Sequence, residues 1–324
     1  MHNKIAVAAE TLRAGGVVAF PTETVYGLGA DISIPSAISR VFSIKQRPTN
    51  HPLIVHFAEI SHLRHWAIEI PDAAWKLAEN FWPGPLTLIL QRSHRIPKSV
   101  TGGQDTVGLR IPNHPIALDL LKTLGADTVI AAPSANRFGR ISPTTAAHVH
   151  DELGEAINMI LDGGACQVGL ESTIVSFNNE TATILRPGGI PLDALAEVLN
   201  GQIVLANKNN NSERTPGTHA SHYAPTTPLE IRSSENIFPY ASELAAQGIR
   251  TVIITWSDCM RNQPANENIA LFSMPNEPTD YGKQLYATLH QFDHKKFDRL
   301  LIETPPDNPD WLAINDRLNR ASQT

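Results

Sequence analysis

Residues 17–29 read VVAFPTETVYGLG. The apolar run Val17–Phe20 has the length and composition of a short buried strand. It enters a loop dense in hydroxyls, with one carboxylate, Glu23, and two glycines, Gly27 and Gly29. Glycine lets a backbone come close to a ligand, and hydroxyls at a strand end suit a small polar substrate. A capped turn is the plainer reading of the same residues. Upstream, Ile5, Ala8, Ala9 and Leu12 share one face of a helix over 4–14, which Gly15–Gly16 stops. Downstream, Ile38, Val41 and Phe42 mark a helix over 35–46.

Strands are then expected at Leu53–Phe57, Leu86–Leu90, Val107–Ile111, Val129–Ala132, Ser172–Phe177 and Ala182–Leu185. Helices are expected at 72–81, 114–123 and 191–199, and Ser142–Pro143 predicts a capped helix start ending at Gly154. Strands and helices in this mixed order predict an α/β domain with a mixed twisted sheet over residues 1–199. Composition changes at 200–227, which is polar, rich in Asn, Pro and Thr, and without periodicity, the pattern of a linker. From 228 to 324 the order is mostly alternating strand and helix. That predicts a smaller, largely parallel, Rossmann-like α/β domain.

The chain has 324 residues, 42% of them hydrophobic, and a formal net charge of −6, which argues against a broad non-specific grip on nucleic acid. Cys166 and Cys259 are too few for a disulfide scaffold and lack metal-ligand spacing, so they read as reduced thiols of an intracellular protein. The N-terminus has no apolar run of signal-peptide length, and no stretch of about 18 apolar residues occurs. The expectation is a cytoplasmic protein without a membrane span.

No P-loop, GxGxxG after a strand, HExxH, CxxC or GxSxG occurs. His148 and His150 lie two apart on a predicted helix and point to different faces, so no metal site is expected. Besides the 20–29 loop, three segments carry polar groups in useful places. Lys45-Gln46-Arg47-Pro48, with His51 and His56 flanking the next strand, could clamp phosphate, although cations also favour any helix C-terminus. Ala132-Pro133-Ser134-Ala135-Asn136, then Ser142-Pro143-Thr144, precedes a helix N-terminus, which favours anions or simply caps the helix. Asp162-Gly163-Gly164, Gly169 through Val175, and Leu185 through Gly188 present Ser172, Thr173 and Arg186 on glycine loops or on ordinary hairpin turns.

Taken together and in order, PTETVYGLG, KQRP with PLIVH, WPGPLTLIL, VGLRIPNHP, APSAN with SPT, and DGG with GLESTIV and ILRPG resemble the YrdC-type threonylcarbamoyl-AMP synthases. Ser221-His222-Tyr223-Ala224-Pro225 resembles the linker element of that family's longer, two-domain form. The resemblance implies a YrdC-like sheet domain and a nucleotidyltransferase. Its threonine amine captures bicarbonate or CO2 as a carbamate, which attacks the α-phosphate of ATP to give threonylcarbamoyl-AMP and pyrophosphate, for threonylcarbamoyladenosine modification of tRNA.

By matching position, Thr24, His56, Arg110 and Ser172 resemble the L-threonine site. Lys45, Arg47, His51, Thr106, Ala132, Ser134, Asn136, Ser142, Arg186 and Tyr223 resemble the ATP site, with Lys45 and Arg47 as catalytic cations and Tyr223 as a linker residue folding over the nucleotide. Mg2+ is implied as a companion of ATP held by the triphosphate. His51 and Phe138 depart from the pattern, which usually has Asn and a small residue there. The resemblance also implies hand-over of product to a tRNA threonylcarbamoyl-transfer complex and weak RNA binding as further partners. Two other readings remain. One is a double-stranded-RNA or tRNA-binding module without catalysis, which the net acidity disfavours. The other is a carbamoyl-transfer domain of the hydrogenase-maturation type, whose CxxC arms and acylphosphatase segment are missing here.

Overall fold

The computed structural model describes residues 1–178, 181–206, 215, 222–258, 266–293 and 297–323. Half of the expected linker, residues 207–214 and 216–221, and Cys259 lie outside these residues. The chain divides into two compact units, Met1–Phe138 with Ser142–Thr218, and Gly139–Ile141 with His219–Thr324.

The first unit is built on an 11-stranded mixed sheet. Its order is Ile203–Leu205, Thr181–Arg186, Thr173–Asn178, Leu86–Arg92, Thr106–Arg110, Ile54–His56, Ile130–Ala131, Gly27–Asp31, Val18–Phe20, Met159–Ile160, with Ala67–Ile68 paired to Leu86–Arg92 off this path. The pairing Ile54–His56 with Thr106–Arg110 is parallel and sets His56 opposite Arg110.

Alternation along the first strand sends Val17 and Ala19 into one core and Val18 and Phe20 into another, as a period of two requires. Helix His2–Arg13 buries Ile5, Ala8, Ala9 and Leu12, the face expected from spacing, and helix Pro115–Leu124 buries Ile116, Ala117, Leu120 and Leu121 in the same core. Gly15, at φ +81°, takes a conformation that a side chain would strain, and so turns the chain out of the first helix.

Two local expectations change. Residues 27–31 are not a loop but a strand, antiparallel to Val18–Phe20, with Phe20 opposite Gly27. The glycines make room for the Phe20 ring: a Cβ on Gly29 would come within 3.0 Å of it. Nor does Ser142 cap a helix. The helix runs Ala146–Leu153 and Thr145 caps it, accepting from the His148 amide at 3.2 Å. Ser142 is drawn away because its buried hydroxyl donates to Glu171 at 2.6 Å. Strand Ile203–Leu205 pairs in parallel with Thr181–Arg186, so ordered sheet continues into the polar stretch after residue 199.

The second unit has four parallel strands in the order Leu229–Arg232, Arg299–Glu303, Thr251–Thr255, Ile269–Ser273. Helices Ser234–Ala246, Pro278–Phe292 and Leu312–Ala321 accompany them. Ile237, Ala241 and Leu244 of the first helix pack on Ile253 and Leu301. Glu303 ends its strand buried. Burial alone would raise its carboxyl, but bonds from the Ser257 and Ser234 hydroxyls and the Ser257 and Trp256 amides outweigh that and hold it below its ordinary value. No described helix is long and apolar enough to cross a membrane.

Candidate functional site

Arg110, at the end of a central strand of the first unit, is 5% exposed. Its Nη2 donates to Thr24 Oγ1 at 2.9 Å and lies 2.7 Å from Glu23 Oε1, while Nε donates to the Gly84 carbonyl at 3.3 Å. The loop after Phe20 makes this possible. Thr22 Oγ1 donates to the Val25 carbonyl at 2.6 Å and sits 2.8 Å from Thr24 Oγ1, which folds the three residues inward. Glu23 Oε2 accepts the Asn113 amide at 2.9 Å.

His56 is buried beside this pair, and its Nδ1 has no hydrogen-bond partner among the described residues. Burial, helped by the positive charge of Arg110, pushes its pKa down to about 3, so the ring is neutral. In the unfolded chain it would take a proton near its ordinary 6.5. The stabilisation from keeping His56 neutral is therefore complete above about pH 6.5 and is lost as pH falls toward 3. The stability advantage of the wild type over His56→Gln, read from urea midpoints, is expected to shrink by roughly 2–4 kcal/mol between about pH 7 and pH 4. A pH-independent difference would mean that the ring is charged or hydrated in the native state.

A second cluster centres on Lys45, which is 1% exposed. Its Nζ donates to the carbonyls of Ser134 and Asn136, tying the helix end to the 132–138 loop. Burial, reinforced by Arg47, holds its pKa well below the ordinary lysine value. Arg47 Nη2 donates to the Pro52 carbonyl at 2.9 Å. The Phe138 ring lies 5.6 Å from the Arg47 guanidinium and 5.1 Å from the His51 ring, edge on. The two positions that depart from the family pattern, His51 and Phe138, are thus in contact with each other. A cavity of about 640 Å3 borders Arg47, Gln46, Asn50, Lys98 and Ser99, within the size range of small-molecule sites.

A third cluster joins Ser172, Arg186 and Ser142. Arg186 Nη2 donates to the Ser172 carbonyl at 2.8 Å and to its hydroxyl at 3.1 Å, and Ser172 Oγ is 2.8 Å from Thr87 Oγ1. Ser142 joins through Glu171. Gly188 permits this closeness, since a Cβ there would come within 2.3 Å of the Glu171 carbonyl and 2.5 Å of Ser172.

The described contacts bring the candidate residues together in groups. Thr24, His56 and Arg110 meet; Lys45 meets Ser134 and Asn136; Arg47 and His51 share Phe138. Ala132 is buried, its amide donating to the Ile54 carbonyl. Thr106 opens the strand that Arg110 closes, about 13 Å away at a strand's rise. Tyr223 belongs to the second unit, where it is buried at φ +64° with its ring 5.8 Å from Tyr286 and 5.1 Å from the Arg317 guanidinium. The sequence motifs contain Glu23, Glu171 and Thr87 but do not single them out as site residues. The signal for Glu23 was available: it is the sole charged residue in VVAFPTETVYGLG, and buried carboxylates rarely go unpaired. Cys166 is buried, and burial, with the charge of Glu23 adding, pushes its thiol up to about 12.

A mixed sheet holding a buried guanidinium–carboxylate pair and a lysine–arginine loop, followed by a parallel α/β unit, defines the class of protein. The family model Sua5/YciO/YrdC, described as "Telomere recombination", matches residues 10–188. One described as "Threonylcarbamoyl-AMP synthase, C-terminal domain" matches residues 190–323. The threonylcarbamoyl-AMP synthase of Bacillus subtilis is 39% identical, across 98% of this chain and 93% of its own. That of Pyrococcus abyssi is 36% identical, across 98% and 94%. The crystal structure of P. abyssi Sua5 complexed with L-threonine superposes with a TM-score of 0.90 at 36% identity, covering 99% of this chain and 95% of that one. The chain belongs to the Sua5/YrdC family of threonylcarbamoyl-AMP synthases, in its two-domain form.

Proposed function

We propose that this chain forms threonylcarbamoyl-AMP and pyrophosphate from ATP, L-threonine and bicarbonate. The observation that carries the reading is the buried Arg110 with Thr24 and a neutral His56 beside it. An amino acid's carboxylate suits the guanidinium, and its hydroxyl suits the threonine oxygen and the uncharged imidazole. Ser172 belongs to the same binding role by its place in the family pattern. Lys45 spends two of its three N–H donors on carbonyls, which aims the ammonium and leaves one for a phosphate oxygen. Arg47, which borders the cavity, shares that charge in this reading, and His51, Thr106, Ala132, Ser134, Asn136, Ser142 and Arg186 complete the nucleotide contacts.

The carbamate oxygen attacks the α-phosphate and pyrophosphate departs, so no covalent protein nucleophile is needed. Rate comes from positioning and from cations aimed at the charge that develops on phosphate. ATP enters as its magnesium complex, the ion held by the triphosphate. The product serves threonylcarbamoyladenosine formation in the cytoplasm and passes to a tRNA-modifying complex, with RNA contact weak.

The test is pyrophosphate release with ATP, threonine and bicarbonate, omitting each in turn. Release is expected only with all three. Turnover without threonine, or none with the full set, rejects the reading.

A further inference from the structure

The Arg110 cluster holds a carboxylate that binding a substrate's own carboxylate does not call for. Glu23 is 4% exposed. Its Oε2 is satisfied by the Asn113 amide. Its Oε1 lies 2.7 Å from Arg110 Nη2, yet out of hydrogen-bond alignment with any described residue. A buried polar oxygen left without a hydrogen bond is rare and costly. His56 Nδ1, across the same guanidinium in strand register, is a second such atom. One cation, one anion and one neutral imidazole together match a hydroxy amino acid in its zwitterionic form: the carboxylate on Arg110, the ammonium on Glu23, the hydroxyl at His56.

We propose that Glu23 Oε1 receives the ammonium of the amino-acid substrate and takes the proton that must leave before the carbamate forms. This rests on the synthase reading above. A protonated amine has no lone pair with which to attack carbon. Transfer of one N–H proton to Glu23 gives the free amine and a neutral Glu23 carboxyl. The amine lone pair then forms the N–C bond to bicarbonate, and the C–OH bond breaks. Hydroxide leaves with a second amine proton as water, giving the carbamate, and Glu23 returns its proton to solvent before the next turnover. The other titratable groups facing Glu23 are Arg110, His114 and Cys166. Burial holds His114 below its ordinary value against the pull of Glu23 and raises the Cys166 thiol. Both are neutral near pH 7, and Arg110 supplies the positive charge.

The experiment uses the full chain and its Glu23→Gln variant in two directions. Forward, threonine- and bicarbonate-dependent pyrophosphate release is expected to fall about 10²–10⁴-fold, the scale of a lost general base. In reverse, ATP formation from threonylcarbamoyl-AMP and pyrophosphate involves no amine deprotonation and is expected to fall far less. Loss of both directions in equal measure makes Glu23 only a support for Arg110 and overturns the proposal, as does an unimpaired forward rate. Should the Gln variant not fold, Glu23→Asp, which keeps the charge, is expected to release pyrophosphate faster than Glu23→Ala; equal rates overturn the proposal. Wild-type protein inactive in both directions rejects the synthase reading itself and takes this one with it.

Discussion

Arg110→Met is expected to cost about 3–5 kcal/mol of stability, the usual result of removing one partner from a buried ion pair. Most of that cost comes from stranding an anion in the interior, not from the attraction that disappears. Glu23 would remain buried, 2.7 Å from where the guanidinium was, with the Asn113 amide alone to satisfy it. Thr24 Oγ1 and the Gly84 carbonyl would lose a donor as well. Adding Glu23→Gln to Arg110→Met removes the stranded charge, so the double variant is expected to recover most of the loss. Activity is not expected to return with it, because the substrate carboxylate has lost its partner. Urea midpoints and pyrophosphate release on the wild type, the two single variants and the double variant separate the two effects. A double variant no more stable than Arg110→Met would show that Arg110 is not holding the Glu23 charge.

The parts of this molecule legible in its sequence are those that depend on local patterning. The faces of helices His2–Arg13 and Pro35–Lys45 follow from residues three and four apart, and the parallel second unit follows from alternating strand and helix signals. The misreadings share a cause in distant contacts. Gly27–Asp31 looks like a loop because glycine is a poor strand former, yet the Phe20 ring needs that bare surface opposite it. Ser142-Pro143 looks like a helix start until Glu171, 29 residues on, claims the hydroxyl. The candidate site divides in the same way. Cations and hydroxyls could be named from motif order, because a resemblance carries positions. Glu23 and Glu171 could not be weighted, because their meaning lies in what they face: a guanidinium from a distant strand, and a serine from a loop. Nor does sequence show that His51 and Phe138 are one feature; the ring contact does.

Lys45→Met is expected to reduce threonine-dependent pyrophosphate release about 10²–10³-fold, the scale of a lost charge-stabilising donor, with a much smaller effect on stability. The two effects on stability oppose each other. Removing Nζ takes a donor from the Ser134 and Asn136 carbonyls, at roughly 1–3 kcal/mol each. It also removes a cation that burial and Arg47 both disfavour, and methionine fills nearly the same volume with an apolar chain. The net loss is therefore expected to be about 1–3 kcal/mol, too little to unfold the unit. Phe138 would still be tied to residue 45 through its amide, since that bond goes to the backbone carbonyl at 2.7 Å. Lys45→Arg is not expected to restore turnover, because a planar fork cannot replace a point charge between two carbonyls in a space this closed. Circular-dichroism melts beside the release assay decide the matter. If activity falls only in proportion to the fraction unfolded, Lys45 holds the loop and nothing more; if it falls in well-folded protein, the third N–H of the ammonium acts on the phosphate.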